Sequence, residues 1–250
     1  MAYDVGVPRL LAFIPHPDDE SYSFSGTLAL AARAGWECLV YCASSGEKGK
    51  RHDGGETTLA ATGALREREL EASCAVLGCR PPVFLRLRDG ALRQTPGAAG
   101  RIGAAIELLR PGLILTLGPD GAYGHPDHIA LHRWVFEGWQ RAGRTCPLLF
   151  PVFPTGLFVP QWEKCRGMMG EPPDPPASAL GSDTWDYSVD ISGVRATKLI
   201  AIGAHRSQLP RGDPEAIFPP GIVRALLETE RFADATGSPV AGTAALLSFG

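Results

Sequence analysis

Short apolar runs alternate with helically periodic segments through the first two-thirds of the chain. Leu10 to Ile14, Cys38 to Cys42, Val83 to Leu87, Leu113 to Leu117 and Leu148 to Phe153 are of strand length and nearly free of charge, the pattern of strands buried on both faces of a parallel sheet. Helical spacing fills the gaps at about 25–34, 57–77, 98–110 and 126–141. The alternation predicts βαβ units and an α/β, doubly wound, mainly parallel sheet with helices on both faces. In the helix at 57–77, Leu59, Leu65, Leu70, Val76 and Leu77 form the apolar set, with a stop at Gly78, while Arg66, Glu67, Arg68, Glu69 and Glu71 read as a solvated face of paired charges. Beyond Pro151 the pattern loosens. From Pro151 to Asp190 the chain is dense in Pro, Gly and Trp, including Glu171 to Pro176, and reads as a long surface excursion rather than a second domain. Helices at about 194–204 and 220–230 are expected to close the fold, giving one domain over residues 1–250.

Composition narrows the class. At 250 residues with 44% hydrophobic content, the chain can bury one sizeable core. A net charge of -3 with dispersed Lys and Arg argues against a nucleic-acid partner. The apolar run near the N-terminus is too short to span a bilayer and lacks a basic leader, so no membrane partner and a cytoplasmic location are expected. Cys38, Cys42, Cys74, Cys79, Cys146 and Cys165 form no CxxC pair and read as reduced core residues.

The chemistry concentrates at the ends of the first and fourth strands. His16-Pro-Asp-Asp-Glu20 follows one and Gly124-His-Pro-Asp-His128 lies beyond the other. If the strand order is 3-2-1-4-5, those ends are neighbours where the order reverses, the usual ligand crevice of an open α/β sheet. Crowded carboxylates without a cation are costly, and two His with one carboxylate hold a catalytic zinc with its fourth position open. If His16, Asp19 and His128 hold zinc, Asp18 is the candidate proton acceptor, and His125 and Tyr123 are candidate donors to developing charge. Asp127 is placed to orient an imidazole. Glu20 either does the same or simply begins the next helix, where the dipole favours an acid. Fe(II) suits the same ligand set. His132, four residues beyond His128, is either an extra ligand or a packed structural residue, and His52 falls in a polar loop.

The strings PHPDDE at 15–20, SGTLA at 25–29, SSGEKG at 44–49, LREREL at 65–70, YGHPDH at 123–128 and KLIAIGAHRSQ at 198–208 resemble the PIG-L/LmbE-like zinc-dependent de-N-acetylases. The resemblance covers most of the chain outside the Pro-rich excursion. It implies a Rossmann-like fold and hydrolysis of the acetamide of an N-acetylglucosamine-type conjugate, a small-molecule glycoside. It also implies His16, Asp19 and His128 as zinc ligands, Asp18 as general base, His125 as general acid or oxyanion partner, Tyr123 as an assisting phenol, and Arg66 and His205 as substrate contacts. The first motif with its following SGT looks closest to the bacillithiol-type deacetylases, which implies an N-acetylglucosaminyl malate-like substrate. A thiol-conjugate amidase and an antibiotic-tailoring deacetylase are the near alternatives, and a homo-oligomer is compatible with either.

Rival classes lack their motifs. There is no GxSxG elbow and no GxxxxGK[ST] loop. A metal phosphoesterase would want ligands for a second metal. A silent carbohydrate-binding relative is disfavoured because every proposed catalytic position holds a competent residue.

Overall fold

The computed structural model describes residues 6–55 and 58–249. Five strands, β1 (Arg9–Ile14), β2 (Glu37–Ser44), β3 (Val83–Leu87), β4 (Leu113–Thr116) and β5 (Leu148–Pro151), run parallel in the order 3-2-1-4-5. All six residues of β1 are buried, as expected of a central strand covered on both faces. Two further strands, β6 (Tyr187–Asp190) and β7 (Thr229–Asp234), extend the sheet antiparallel beyond β5, in the order β5-β7-β6.

The helices are α1 (Asp19–Ser23), α2 (Ser25–Arg33), α3 (Leu59–Leu77), α4 (Ala98–Leu109), the single turn α5 (Gly121–Gly124), α6 (Pro126–Arg141), α7 (Val159–Cys165), α8 (Arg195–Ala204), α9 (Ile222–Ala225) and α10 (Thr243–Leu247). One face of the sheet packs Leu28, Leu70, Cys74 and Ala201 from α2, α3 and α8. The other packs Ile102, Ile106, Leu131 and Val135 from α4 and α6. All six cysteines are free thiols, four of them buried, and no helix among the described residues is long and apolar enough to cross a membrane.

Three expectations need correcting. The helix expected over 220–230 is helical only at Ile222–Ala225, and the chain then extends into β7. Its alternation was disguised because Glu230 and Asp234 are polar inward-facing positions. The excursion over 151–190 is not a surface ramble: Phe153, Phe158, Trp162, Met169 and Leu180 are buried in a third core around Tyr22 and Tyr123, and its end supplies β6. The charged set on α3 is solvated only in part: Arg68 and Glu71 are exposed and Glu67 is half-buried. Arg66 and Glu69, by contrast, are buried, whereas Leu59 is 56% exposed, because α3 turns these two toward the loops after β1 and β2 and toward Ser207 beyond α8. Thr57, assigned to this helix from the sequence, lies outside the described residues, and the helix is capped by the Thr58 hydroxyl accepting from Ala61 N–H.

Behind the site, Lys198 of α8 is fully buried, its Nζ 2.6 Å from Glu230 Oε1 and 2.9 Å from the Tyr22 carbonyl. Glu230 in turn accepts from the backbone N–H groups of Gly26 and Thr27 at the start of α2. Removing one member of a buried pair strands the other charge. Lys198→Met should therefore lower unfolding free energy by about 3–5 kcal/mol, read from denaturant midpoints, and Lys198→Met with Glu230→Gln should recover part of the loss. A single variant as stable as wild type would show that the pair does not hold β7 to α2.

Candidate metal and hydrolase site

The site forms where β1 and β4 diverge, above the apolar floor of Tyr22, Tyr123 and Phe158. Beyond β1 the chain turns sharply. The Asp19 carboxylate accepts the His16 backbone N–H at 2.9 Å, and Asp18 is forced to φ 126°, an uncommon conformation for a residue with a Cβ that functional sites tend to retain. This turn sends the two adjacent carboxylates in different directions. Asp19 is almost fully buried between two imidazoles, with Oδ2 3.2 Å from His16 Nδ1 and Oδ1 3.4 Å from His128 Nε2. Asp18 instead lines a cavity of about 730 Å³.

Pro126 starts α6 and the His125 imidazole caps it, its Nδ1 accepting the Asp127 N–H at 3.2 Å. His125 therefore carries its proton on Nε2. His128, in the first turn, is fully buried, with Nδ1 3.1 Å from the Gly121 carbonyl. That contact puts its proton on Nδ1 and leaves Nε2 a free lone pair, with no hydrogen-bond partner although buried. The three imidazoles cluster, with ring centroids 4.6 Å apart for His125 and His128, 4.9 Å for His16 and His125, and 5.3 Å for His16 and His128. Tyr123 packs edge-on against His128 at 5.0 Å and lines the cavity.

The far side of His16 is acidic. Its Nε2 lies 3.3 Å from Asp89 Oδ1 and 3.4 Å from Asp127 Oδ2. Asp127 accepts the N–H groups of Gly90 and Leu92, so it is held in place to orient His16. Donor atoms converge in two groups that share His16, one with His125 and His128 and the other with Asp89 and Asp127. Asp19 spans His16 and His128 with its two oxygens. Three carboxylates, those of Asp19, Asp89 and Asp127, thus crowd one imidazole cluster, and an unpartnered lone pair on His128 points into it. A divalent cation fits this donor set: it supplies the missing positive charge and the missing partner.

Electrostatics follow the geometry. Burial pushes His128 down to about 4 against the pull of Asp19, so the ring is neutral and able to ligate. Burial also lowers His125, to about 2, and His128 and His16 add to the effect. Asp18 is raised to about 6 by burial, although Arg66 opposes the shift. His16 goes the other way: burial resists its charge, but hydrogen bonds to Asp127, Asp19 and Asp89 prevail and hold it well above the usual imidazole range.

Arg66 reaches from α3 to Asp18 Oδ2 at 3.0 Å and donates to the Gly46 and Pro17 carbonyls. A Cβ at Gly46 or Gly49 would collide with its guanidinium, which accounts for both glycines of the SSGEKG string. Arg66 lines the cavity, and its two terminal nitrogens are spent on Asp18 and the backbone, not on Glu69 or Glu71, while its buried Nε–H has no partner. His205 is fully buried and does not line the cavity; its Nε2 is 2.8 Å from Glu20 Oε1. Glu20, also fully buried, accepts from Ser73 Oγ and from the Asp18 N–H, so it braces the turn and touches none of the three clustered imidazoles. His132 bonds the Leu117 carbonyl and packs on Phe150, apart from the cluster, and His52 is exposed. The sequence reading missed Asp89. The signal available was an Asp-Gly turn just past β3, at a third strand end on the same edge of the sheet.

Comparison with known proteins adds three findings. The family model of GlcNAc-PI de-N-acetylases (PIG-L) matches residues 11–138. A 1D-myo-inositol 2-acetamido-2-deoxy-alpha-D-glucopyranoside deacetylase of Nakamurella multipartita is 31% identical, with 95% of this chain and 93% of that protein covered. Among solved structures, the N,N'-diacetylchitobiose deacetylase of Pyrococcus horikoshii superposes with a TM-score of 0.67 at 22% identity, covering 95% and 89% of the two chains, a likeness of fold.

Proposed function

The chain belongs to the PIG-L family of GlcNAc-PI de-N-acetylases and is an N-deacetylase, and from that premise we propose that it hydrolyses the acetamide of an N-acetylglucosaminyl inositol-type glycoside to the free amine and acetate. The observation that carries the reading is the divergence of Asp18 and Asp19, one carboxylate turned to the imidazoles and its neighbour to the cavity. The inositol aglycone is supported by the relative at 31% identity. That relative's aglycone is an inositol, not the malate suggested by the first motif.

In this reading His16, Asp19 and His128 hold the metal, zinc by preference and Fe(II) as the alternative. When bound there, the ion would supply Lewis acidity to the acetamide carbonyl and to a water. Asp18 accepts the proton from the attacking water, its carboxylate positioned by Arg66. The Nε2–H of His125 donates to the oxyanion of the tetrahedral intermediate, and Tyr123 adds a second donor from the same wall. Asp18 then returns the proton to the leaving nitrogen. Asp127 fixes the His16 ring, while Glu20, tied to His205 and Ser73, holds the Asp18 backbone in its strained conformation.

The test is amine release from N-acetylglucosaminyl inositol, N-acetylglucosaminyl malate, diacetylchitobiose and free N-acetylglucosamine by the metal-loaded protein. Release from the inositol glycoside, abolished by chelation and restored by zinc, is the expected result. Turnover of none of these acetamides would overturn the assignment.

A further inference from the structure

One buried hydroxyl beside the imidazole cluster has no part in the reaction above. Tyr22 lies one turn along α1 from Asp19, so the two side chains share a face of that helix. Its phenol donates to Asp19 Oδ1 at 2.9 Å, the one hydrogen bond of that hydroxyl among the described residues. A tyrosine this deeply buried usually finds a partner for its O–H. Here the partner is the carboxylate that stands between His16 and His128.

Asp19 is thereby held through both of its oxygens. Oδ2 accepts the His16 backbone N–H at 2.9 Å and lies 3.2 Å from His16 Nδ1, whereas Oδ1 accepts the Tyr22 hydroxyl and lies 3.4 Å from His128 Nε2. Anchored by the backbone N–H alone, the carboxylate could turn about its Cβ–Cγ bond and carry Oδ1 away from His128. The phenol removes that freedom, and its own ring is clamped. Phe218 meets the ring edge-on at a centroid distance of 4.8 Å, with Phe158 at 5.9 Å and Phe153 at 6.2 Å, and the Tyr22 carbonyl accepts from the buried Lys198 Nζ. Phe153 and Phe158 belong to the excursion beyond β5 and Phe218 to the segment before α9, so the third core reaches Asp19 through a single hydroxyl.

We propose that Tyr22 is a positioning residue for the metal: its hydroxyl fixes the Asp19 carboxylate in the orientation that faces both imidazoles, so that the third core sets the affinity of the site and the geometry of its ligands. This rests on the reading in which His16, Asp19 and His128 hold the ion. Hydrogen bonds to a ligating carboxylate govern metal affinity by orienting the ligand, and a side chain already ordered in the fold loses little freedom on binding.

The experiment compares wild type with Y22F, which removes the hydroxyl and keeps the ring among its three aromatic neighbours, and with F218L, which loosens the ring and keeps the hydroxyl. Zinc dissociation constants are measured by competition with a chromophoric chelator, visible spectra after loading with Co(II), and denaturant midpoints on the metal-free proteins. Y22F should bind zinc about tenfold or more weakly than wild type, the scale on which loss of such a partner acts. Its Co(II) bands should shift, because they report ligand geometry. F218L should lower the denaturant midpoint but weaken zinc binding less than Y22F does. Wild-type affinity with an unshifted Co(II) spectrum in Y22F overturns the proposal. A loss of affinity in F218L as large as that in Y22F also overturns it, because the effect would then belong to packing. Wild type that takes up no zinc would remove the metal reading and this inference together. Tight zinc binding without amine release from any glycoside, with Y22F still the weaker binder, would uphold Tyr22 in this role while the deacetylase assignment falls.

Discussion

Replacing His128 with Ala should strip the protein of metal and of activity together. The ring is fully buried and its proton is committed to the Gly121 carbonyl, so Nε2 faces Asp19 with a lone pair that no hydrogen-bond donor engages. A site that loses one of three ligands rarely holds a catalytic ion, and without Lewis acidity worth about 4 kcal/mol the rate should drop by roughly 10³-fold or more. Metal content by atomic absorption and acetate release by the same preparation are the paired measurements, with circular dichroism to establish that the fold survives. His132→Ala is the control: that ring sits one turn further along α6, bonded to Leu117 and packed on Phe150, and its loss should leave the metal in place. Full occupancy and turnover in His128→Ala would remove His128 from the ligand set and move attention to the grouping of His16 with Asp89 and Asp127.

The central sheet was legible because its strands are buried on both faces and therefore read as unbroken apolar runs; β1 is the clearest case. Given the strand order, the two acid-imidazole clusters had to meet, since both follow strands that flank the switch point. The edge was not legible for the same physical reason in reverse. β6 is only four residues long, β7 mixes the inward-facing acids Glu230 and Asp234 with apolar Phe232, and Glu230 is buried beside Lys198, distant in sequence, which neutralises it. Arg66 failed as a surface residue because helical periodicity tells which positions share a face but not whether that face meets water or a cluster of carboxylates. His205 and Glu20 were visible as motif letters, yet that they pair with each other rather than with substrate or with the clustered imidazoles depends on how α8 crosses the first turn after β1. Asp89 carried no signal stronger than an Asp-Gly turn, and its approach to His16 is a property of the folded edge alone.

Asp18→Asn is expected to separate binding from chemistry. The replacement keeps the shape of the side chain, and Asn tolerates positive φ about as well as Asp does, so the strained turn at φ 126° should survive with Asp19 still between its two imidazoles. What is lost is the proton acceptor and half of the charge pair with Arg66. Metal content should remain near wild type, KM should change little, and kcat should fall by roughly 10² to 10⁴, the scale of general-base removal. An effect on metal content instead would mean that Asp18 is a ligand and that the two adjacent carboxylates have exchanged duties. Wild-type turnover would hand the base function to another group, and the structure narrows the choice. Glu20 is fully buried and its oxygens are taken by Ser73, His205 and the Asp18 N–H. Asp127 accepts two backbone N–H groups. Asp89, which lines the same cavity and touches His16, would then be the carboxylate to replace next.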